Sequence, residues 1–279
     1  LSYLNFNGKI LPAETAGWPL NRALHYGDGL FETMRLHNGE LLFFDDHLDR
    51  LFRGMQALKL EVPENFSPFF IHKHLVDLLG RNSAAANARV KIGVFRTSGG
   101  FYQPGSNSAE YFIEVQSLPT GYQWSEAPFG IGVYPDIRKN FSSVSFFKSM
   151  SALPYVMASL HAKDMGWDDS ILLNSRGQLT EATSSNIFWV KDGTVFSLPT
   201  GEGGIDGIMR KNLFRFLADG EIAYLEKSGS PEELKTADEI FLTNVARGIQ
   251  PVTHYAGKKF ETQVTRRIFE WLLKKISGQ

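Results

Sequence analysis

Phe146-Phe147-Lys148-Ser149, read together with Leu179-Thr180-Glu181-Ala182-Thr183-Ser184-Ser185-Asn186-Ile187-Phe188, decides how this chain is understood. A lysine beside aromatic rings loses hydration, which disfavours its ammonium form. The neutral amine is a nucleophile that joins carbonyl carbon as a Schiff base. Glu181 lies far enough along for a helix, a turn and a strand to bring it back. By residue type, such an amine and such a carboxylate are the two halves of a pyridoxal phosphate site: one takes the aldehyde and the other faces the pyridine nitrogen. Each half also has a plainer reading. Lys148 fits an exposed lysine at a strand end, Glu181 fits a turn, and the two residues alone leave these open.

The 279 residues are more than most single cores hold, which points to two domains. The composition, 43% hydrophobic and 21% charged, is that of an ordinary globular protein. With 29 basic and 30 acidic residues the net charge is -1, so no global field draws nucleic acid or an acidic membrane. There is no cysteine, which excludes disulfides and thiolate metal sites and fits a reducing cytoplasm. No segment has the unbroken apolar length of a membrane span. Leu1-Ser2-Tyr3-Leu4-Asn5 lacks the basic start and apolar core of a signal peptide. His72 and His74, two apart, do not share a helix face and make a poor metal pair.

Asn7-Gly8 and Asn38-Gly39 each sit between apolar runs and predict two tight hairpins. Asp45 or Asp46 is placed to cap a helix carrying Leu48, Leu51, Phe52, Met55 and Leu58 at helical spacing. A second amphipathic helix is expected over 66–79, and strands over 89–95 and 111–115. The stretch 117–128, with two prolines and a glycine, reads as a linker. It divides an N-terminal domain, 1–116, from a C-terminal domain, 129–279. In the second, strands are expected at 130–134, 170–173, 186–191 and 239–242, and helices at 150–163, 207–217 and 264–276. The fold class is α+β in two domains.

Beyond these elements, an ordered set of motifs carries a resemblance. It comprises Asn21-Arg22-Ala23-Leu24-His25-Tyr26-Gly27-Asp28-Gly29-Leu30-Phe31-Glu32-Thr33-Met34-Arg35, His47-Leu48-Asp49-Arg50-Leu51, Lys148, the 180–188 run, Gly204-Ile205-Asp206-Gly207-Ile208-Met209-Arg210 and Thr243-Asn244-Val245. In order and spacing the chain resembles the class IV aminotransferase family, the fold type IV pyridoxal phosphate enzymes, over nearly its whole length. The resemblance implies a small α/β N-terminal domain and a larger C-terminal domain with a β-barrel-like sheet. It implies pyridoxal 5'-phosphate as cofactor, a small-molecule substrate and a homodimer.

By that resemblance Lys148 forms the Schiff base and Glu181 keeps the ring nitrogen protonated. Arg50 becomes the phosphate arginine, a guanidinium fork suiting phosphate oxygens. On spacing alone it reads as a solvated helix arginine. The glycine-rich turn 203–207 opens a helical run, and the backbone amides of Ile205 and Asp206 are expected at the phosphate. Asn244 and Val245 stand at the other phosphate-side turn, Val245 offering only its backbone. Leu153 occupies the place where branched-chain enzymes usually carry a tyrosine against the cofactor.

Thr33, Asn244 and Leu153 together resemble the aminodeoxychorismate lyases of the family. Thr33 is then a proton relay beside Lys148, and Asn244 orients substrate, with Phe31, Arg96 and Tyr102 completing the pocket. The activity so implied is release of pyruvate to leave 4-aminobenzoate, a folate precursor. The alternative is amino transfer to a 2-oxo acid, of the branched-chain or D-amino-acid type. A protein that binds a phosphorylated ligand without catalysis is the competing class.

Overall fold

Asn7 and Gly8, at φ 48° and 85°, and Asn38 and Gly39, at 50° and 90°, turn the chain back on itself where the sequence places them. Positive φ at both central residues is what a two-residue hairpin requires. The computed structural model describes residues 2–13, 21–84, 86–220 and 222–277. They fall into two compact units, Leu1–Gly121 with Phe147–Ala152, and Tyr122–Phe146 with Leu153–Gln279.

In the first unit six antiparallel strands form one sheet, in the order Lys9–Pro12, Tyr3–Phe6, Ala109–Ser117, Ala88–Arg96, Gly29–His37, Glu40–Leu41. Helices Phe44–Ala57 and Pro68–Arg81 bury Leu48, Leu51 and Met55, and Ile71, Leu75 and Leu78. The expected aspartate cap is absent. Phe43, in a left-handed conformation at φ 55°, precedes the first helix and no side chain caps it. Asp45 and Asp46 instead occupy its first turn, where negative charge meets the positive end of the helix dipole.

The second unit has two five-stranded sheets. One runs Tyr224–Glu226, Thr194–Ser197, Asn186–Lys191, Glu239–Asn244, Gly248–Val252; the other runs Lys258–Lys259, His254–Tyr255, Gly130–Arg138, Asp169–Leu173, Leu179–Ala182. Their inner faces share one apolar core, with Ile131, Ile171, Leu179, Ile187, Trp189, Ile240, Leu242 and Val252 all buried. This gives the larger unit its barrel-like character. Helices Ile208–Asp219 and Gln263–Ile276 pack on the first sheet and Leu153–Asp164 on the second.

The last of these helices starts at Leu153 rather than at 150. Pro154 then falls in the first turn, where its missing N–H costs nothing. Asp169–Leu173 pairs with Gly130–Arg138 on one side and with Leu179–Ala182 on the other. The expected strand at 186–191 sits between Thr194–Ser197 and Glu239–Asn244.

Candidate active site

In the first unit, residues 148–150 lie along the Gly29–His37 strand. The Phe31 N–H donates to the Lys148 carbonyl at 2.8 Å, and the Met150 N–H donates to the Gly29 carbonyl at 2.9 Å. This pairing delivers Lys148 to the Phe31 ring, with Nζ 4.6 Å from its centroid. Strand alternation puts Thr33 on the face of Phe31 and turns Glu32 to the opposite face. Lys91 is Thr33's partner in the sheet, and its Nζ lies 5.5 Å from the same Phe31 ring. Sequence reading passed over Lys91, because only the strand register reveals it.

On Glu32's face the helix Phe44–Ala57 brings up Arg50 and His47. Arg50 Nε donates to Glu32 Oε1 at 2.7 Å and Nη2 to Oε2 at 2.6 Å, while His47 Nδ1 pairs with Oε2 at 2.7 Å. Arg50 is therefore buried, not the solvated arginine that helical spacing allowed. Burial favours the neutral acid, but Arg50 and His47 outweigh it and hold the Glu32 carboxyl at about 2. Burial pushes His47 the other way, below its ordinary value, so the imidazole stays neutral. An ionised Glu32 only accepts, so Nδ1 carries the proton.

Arg96 was expected to meet substrate. Its guanidinium is buried and engaged at all three nitrogens: Nε with Asp28 at 3.0 Å, Nη1 with Asn107, Nη2 with the Leu58 carbonyl. Arg22 shares Asp28 and donates from Nη1 to the carbonyls of Gly99 and Phe101. Burial opposes ionisation of Asp28, but the two arginines hold its carboxyl below the usual range. Asp28 thus anchors the loop that carries Tyr102. Tyr102 itself is 91% exposed and lies against the Tyr26 ring.

The second unit holds the acid. Glu181 is buried at the centre of Leu179–Ala182. Its Oε1 accepts from the Tyr155 hydroxyl at 2.7 Å and from Lys139 Nζ at 2.9 Å. Its Oε2 accepts from the Ile205 N–H at 2.9 Å. A carboxylate offers about four acceptor positions, so one remains, on Oε2. A protonated pyridine nitrogen needs one such acceptor. Tyr155, buried beside the carboxylate, has its hydroxyl pushed far up, so it stays a donor.

The expected phosphate amides need correction. The Ile205 N–H is engaged with Glu181, and the Asp206 N–H donates to the Phe146 carbonyl at 3.1 Å. The chain becomes helical only at Ile208, where Gly207 is the cap and no side chain caps it. A helix start leaves its first four amides without carbonyl partners in the helix, and here these include Ile208 and Met209. Amides so placed are receptive to an anion. Asn186 steadies the approach by donating to the Ile205 carbonyl at 2.9 Å. A carboxylate with one open acceptor position and an uncapped helix start, three residues beyond the amide it binds, together fit a phosphorylated pyridine.

The Asn244 side chain, expected to orient substrate, is engaged within the chain. Its Nδ2 donates to the Ser184 carbonyl and to Ser185 Oγ, and its Oδ1 accepts the Arg247 N–H at 2.8 Å. Val245 is buried, and its carbonyl accepts the Tyr122 hydroxyl. Leu153 is 66% exposed at the start of its helix.

Several known proteins are similar. A probable branched-chain-amino-acid aminotransferase of Rickettsia bellii is 28% identical over 90% of this chain and 86% of its own. A D-alanine aminotransferase of Bacillus licheniformis is 26% identical over 91% and 88%. An aminodeoxychorismate lyase of Vibrio harveyi is 25% identical over 84% and 85%. The crystal structure of a branched-chain aminotransferase from Thermoproteus uzoniensis with norvaline superposes with a TM-score of 0.90, at 26% identity over 99% of this chain and 95% of that one. The model for amino-transferase class IV matches residues 29–255. The chain belongs to the class IV aminotransferase family and is a pyridoxal phosphate-dependent enzyme of fold type IV.

Proposed function

We propose that this enzyme is an aminotransferase, moving the amino group of an amino acid to a 2-oxo acid, with substrates of the branched-chain or D-amino-acid kind. The observation that carries the reading is the engagement of Asn244. Both ends of its amide serve two turns of the protein, so the residue on which the lyase reading leaned has both donor hydrogens committed and one acceptor position on Oδ1 left. The similarity to aminotransferases of both kinds supports the same side. The lyase remains the second reading. It is favoured by Thr33, which shares the Phe31 face of its strand, and by the similarity to a lyase.

When bound, pyridoxal phosphate supplies an electron sink for the bond broken at the substrate's α-carbon. The chain's own residues do the rest. Lys148 Nζ would hold the cofactor and would take and return the substrate's α-proton. The Phe31 ring against it excludes water. Lys91, on the same ring, meets the substrate carboxylate. Glu181 Oε2 would accept a hydrogen bond from the ring nitrogen and so keep that nitrogen protonated. The amides of Ile208 and Met209 would hold the phosphate, and the resemblance gives the same role to Arg50, which Glu32 orients. The protein works as a homodimer, supported by an exposed apolar stripe on the helix Leu153–Asp164.

The test is a half-reaction screen. The yellow protein is mixed with amino acids of either hand and with aminodeoxychorismate, and its spectrum is followed. An amino acid is expected to bleach the band and release a 2-oxo acid. Lys148→Ala should lack the band, and Lys91→Met should need more amino acid for the same conversion. Formation of 4-aminobenzoate, without reaction with any amino acid, would reject the transaminase in favour of the lyase.

A further inference from the structure

Lys139 follows the strand Gly130–Arg138 in a polar stretch, where a lysine normally reaches into water. Here it turns inward. Only 13% of its side chain is exposed, and its Nζ reaches Glu181 Oε1 at 2.9 Å. The same nitrogen donates to the carbonyls of Ser145 and Gly203. Tyr155 donates to that carboxylate oxygen as well.

Lys139 is the one formal opposite charge paired with Glu181 among the described residues. The other titratable groups on the surrounding elements are engaged elsewhere. Asp169, on the neighbouring strand, accepts from Ser170 and Thr183, and Asp206 pairs with Arg210 at 3.8 Å. The carboxylate is thus already matched by an ammonium before any ligand arrives. A cation at hydrogen-bond distance weakens the attraction a carboxylate offers to a second cation.

We propose that Lys139, assisted by the Tyr155 hydroxyl, is a positioning residue that sets how firmly Glu181 retains the proton on the cofactor's ring nitrogen. The ammonium holds Oε1 and leaves Oε2 as the only acceptor for that proton. It also loosens the proton relative to a carboxylate standing alone, which limits the electron-withdrawing power of the ring. This rests on the reading of Glu181 given above.

The experiment uses the full-length enzyme loaded with pyridoxal phosphate carrying 15N in the ring. The nitrogen resonance is followed against pH, and thermal melting is measured alongside. Lys139→Gln, which keeps a donor but removes the charge, should move the titration midpoint up by about one pH unit, tenfold in proton affinity. Lys139→Arg should restore the original midpoint. A purely structural lysine would change melting and leave the midpoint in place, so an unmoved midpoint in folded Lys139→Gln overturns the proposal. Lys139→Met repeats the test should the first variant not fold. Failure of both neutral variants to fold assigns the residue to the fold alone and rejects the proposal. A midpoint unchanged in Glu181→Gln would instead show that Glu181 is not at the ring, so the underlying reading fails separately.

Discussion

Glu32 shows how much a single buried acid organises at the residue scale. It is 1% exposed, yet it binds two Arg50 nitrogens and the His47 ring. Glu32→Gln removes the negative charge and leaves the Arg50 guanidinium buried without a counter-charge, a change that costs about 3–5 kcal/mol. The pH dependence follows from the carboxyl standing at about 2, below its ordinary 4.5. Its contribution to stability is complete above 4.5 and is lost as pH falls toward 2. Thermal melting across that window should show a steep acid limb in the parent and a flatter one in Glu32→Gln. Equal limbs would refute the pairing. Sequence reading found Arg50 through resemblance but not its partner, because neighbouring strand residues face opposite sides and only the tertiary contact shows which side meets the helix. Lys148 and Glu181 were singled out because their proposed chemistry demands those residue types. Lys139 was not, since nothing local distinguishes a lysine that folds inward.

At the scale of elements, hairpins were legible and phosphate-binding amides were not. Asn-Gly turns are encoded in two residues, and both appear at the expected positions. The turn 203–207 contains several glycines, and glycine content alone does not say which amides are left over. The accounting of hydrogen bonds does: Ile205 and Asp206 are engaged, and the helix begins at Ile208 without a side-chain cap. Gly207 makes this arrangement possible. A Cβ placed there would stand 1.7 Å from Asn186 Oδ1, and Asn186 holds the Ile205 carbonyl. Gly207→Ala must therefore displace that side chain. Losing a buried hydrogen bond costs about 1–3 kcal/mol, and each 1.4 kcal/mol, or thereabouts, is tenfold in affinity. Titration of the cofactor-free protein with pyridoxal phosphate should show a loss of about tenfold or more, with circular dichroism unchanged. Undiminished affinity would remove this helix start from the site.

For the whole molecule, the largest unanswered surface is the helix Leu153–Asp164. Among the described residues no helix is long and apolar enough to cross a membrane, so a bilayer-spanning role does not account for apolar exposure here. Ala158 and Ala162 face inward, while Leu153, Val156, Met157 and Leu160 stand 66%, 51%, 39% and 50% exposed. They recur at positions i, i+3, i+4 and i+7, one stripe of a helix. The sequence showed the helix but not which apolar residues stay outside, because apolar residues run round both faces and the core takes the alanines and part of Tyr155. Contiguous apolar surface of this kind marks an interaction site, and the proposed homodimer puts a second copy of the stripe against it. A two-fold interface places the same patch on both partners, so one substitution acts twice. Leu160→Glu would bury two carboxylates at the contact, each without a counter-charge. The parent should sediment at twice the mass of a single chain. The variant should sediment at the mass of one chain, with its helix content intact. A parent that sediments as one chain at micromolar concentration would rule out this use of the stripe.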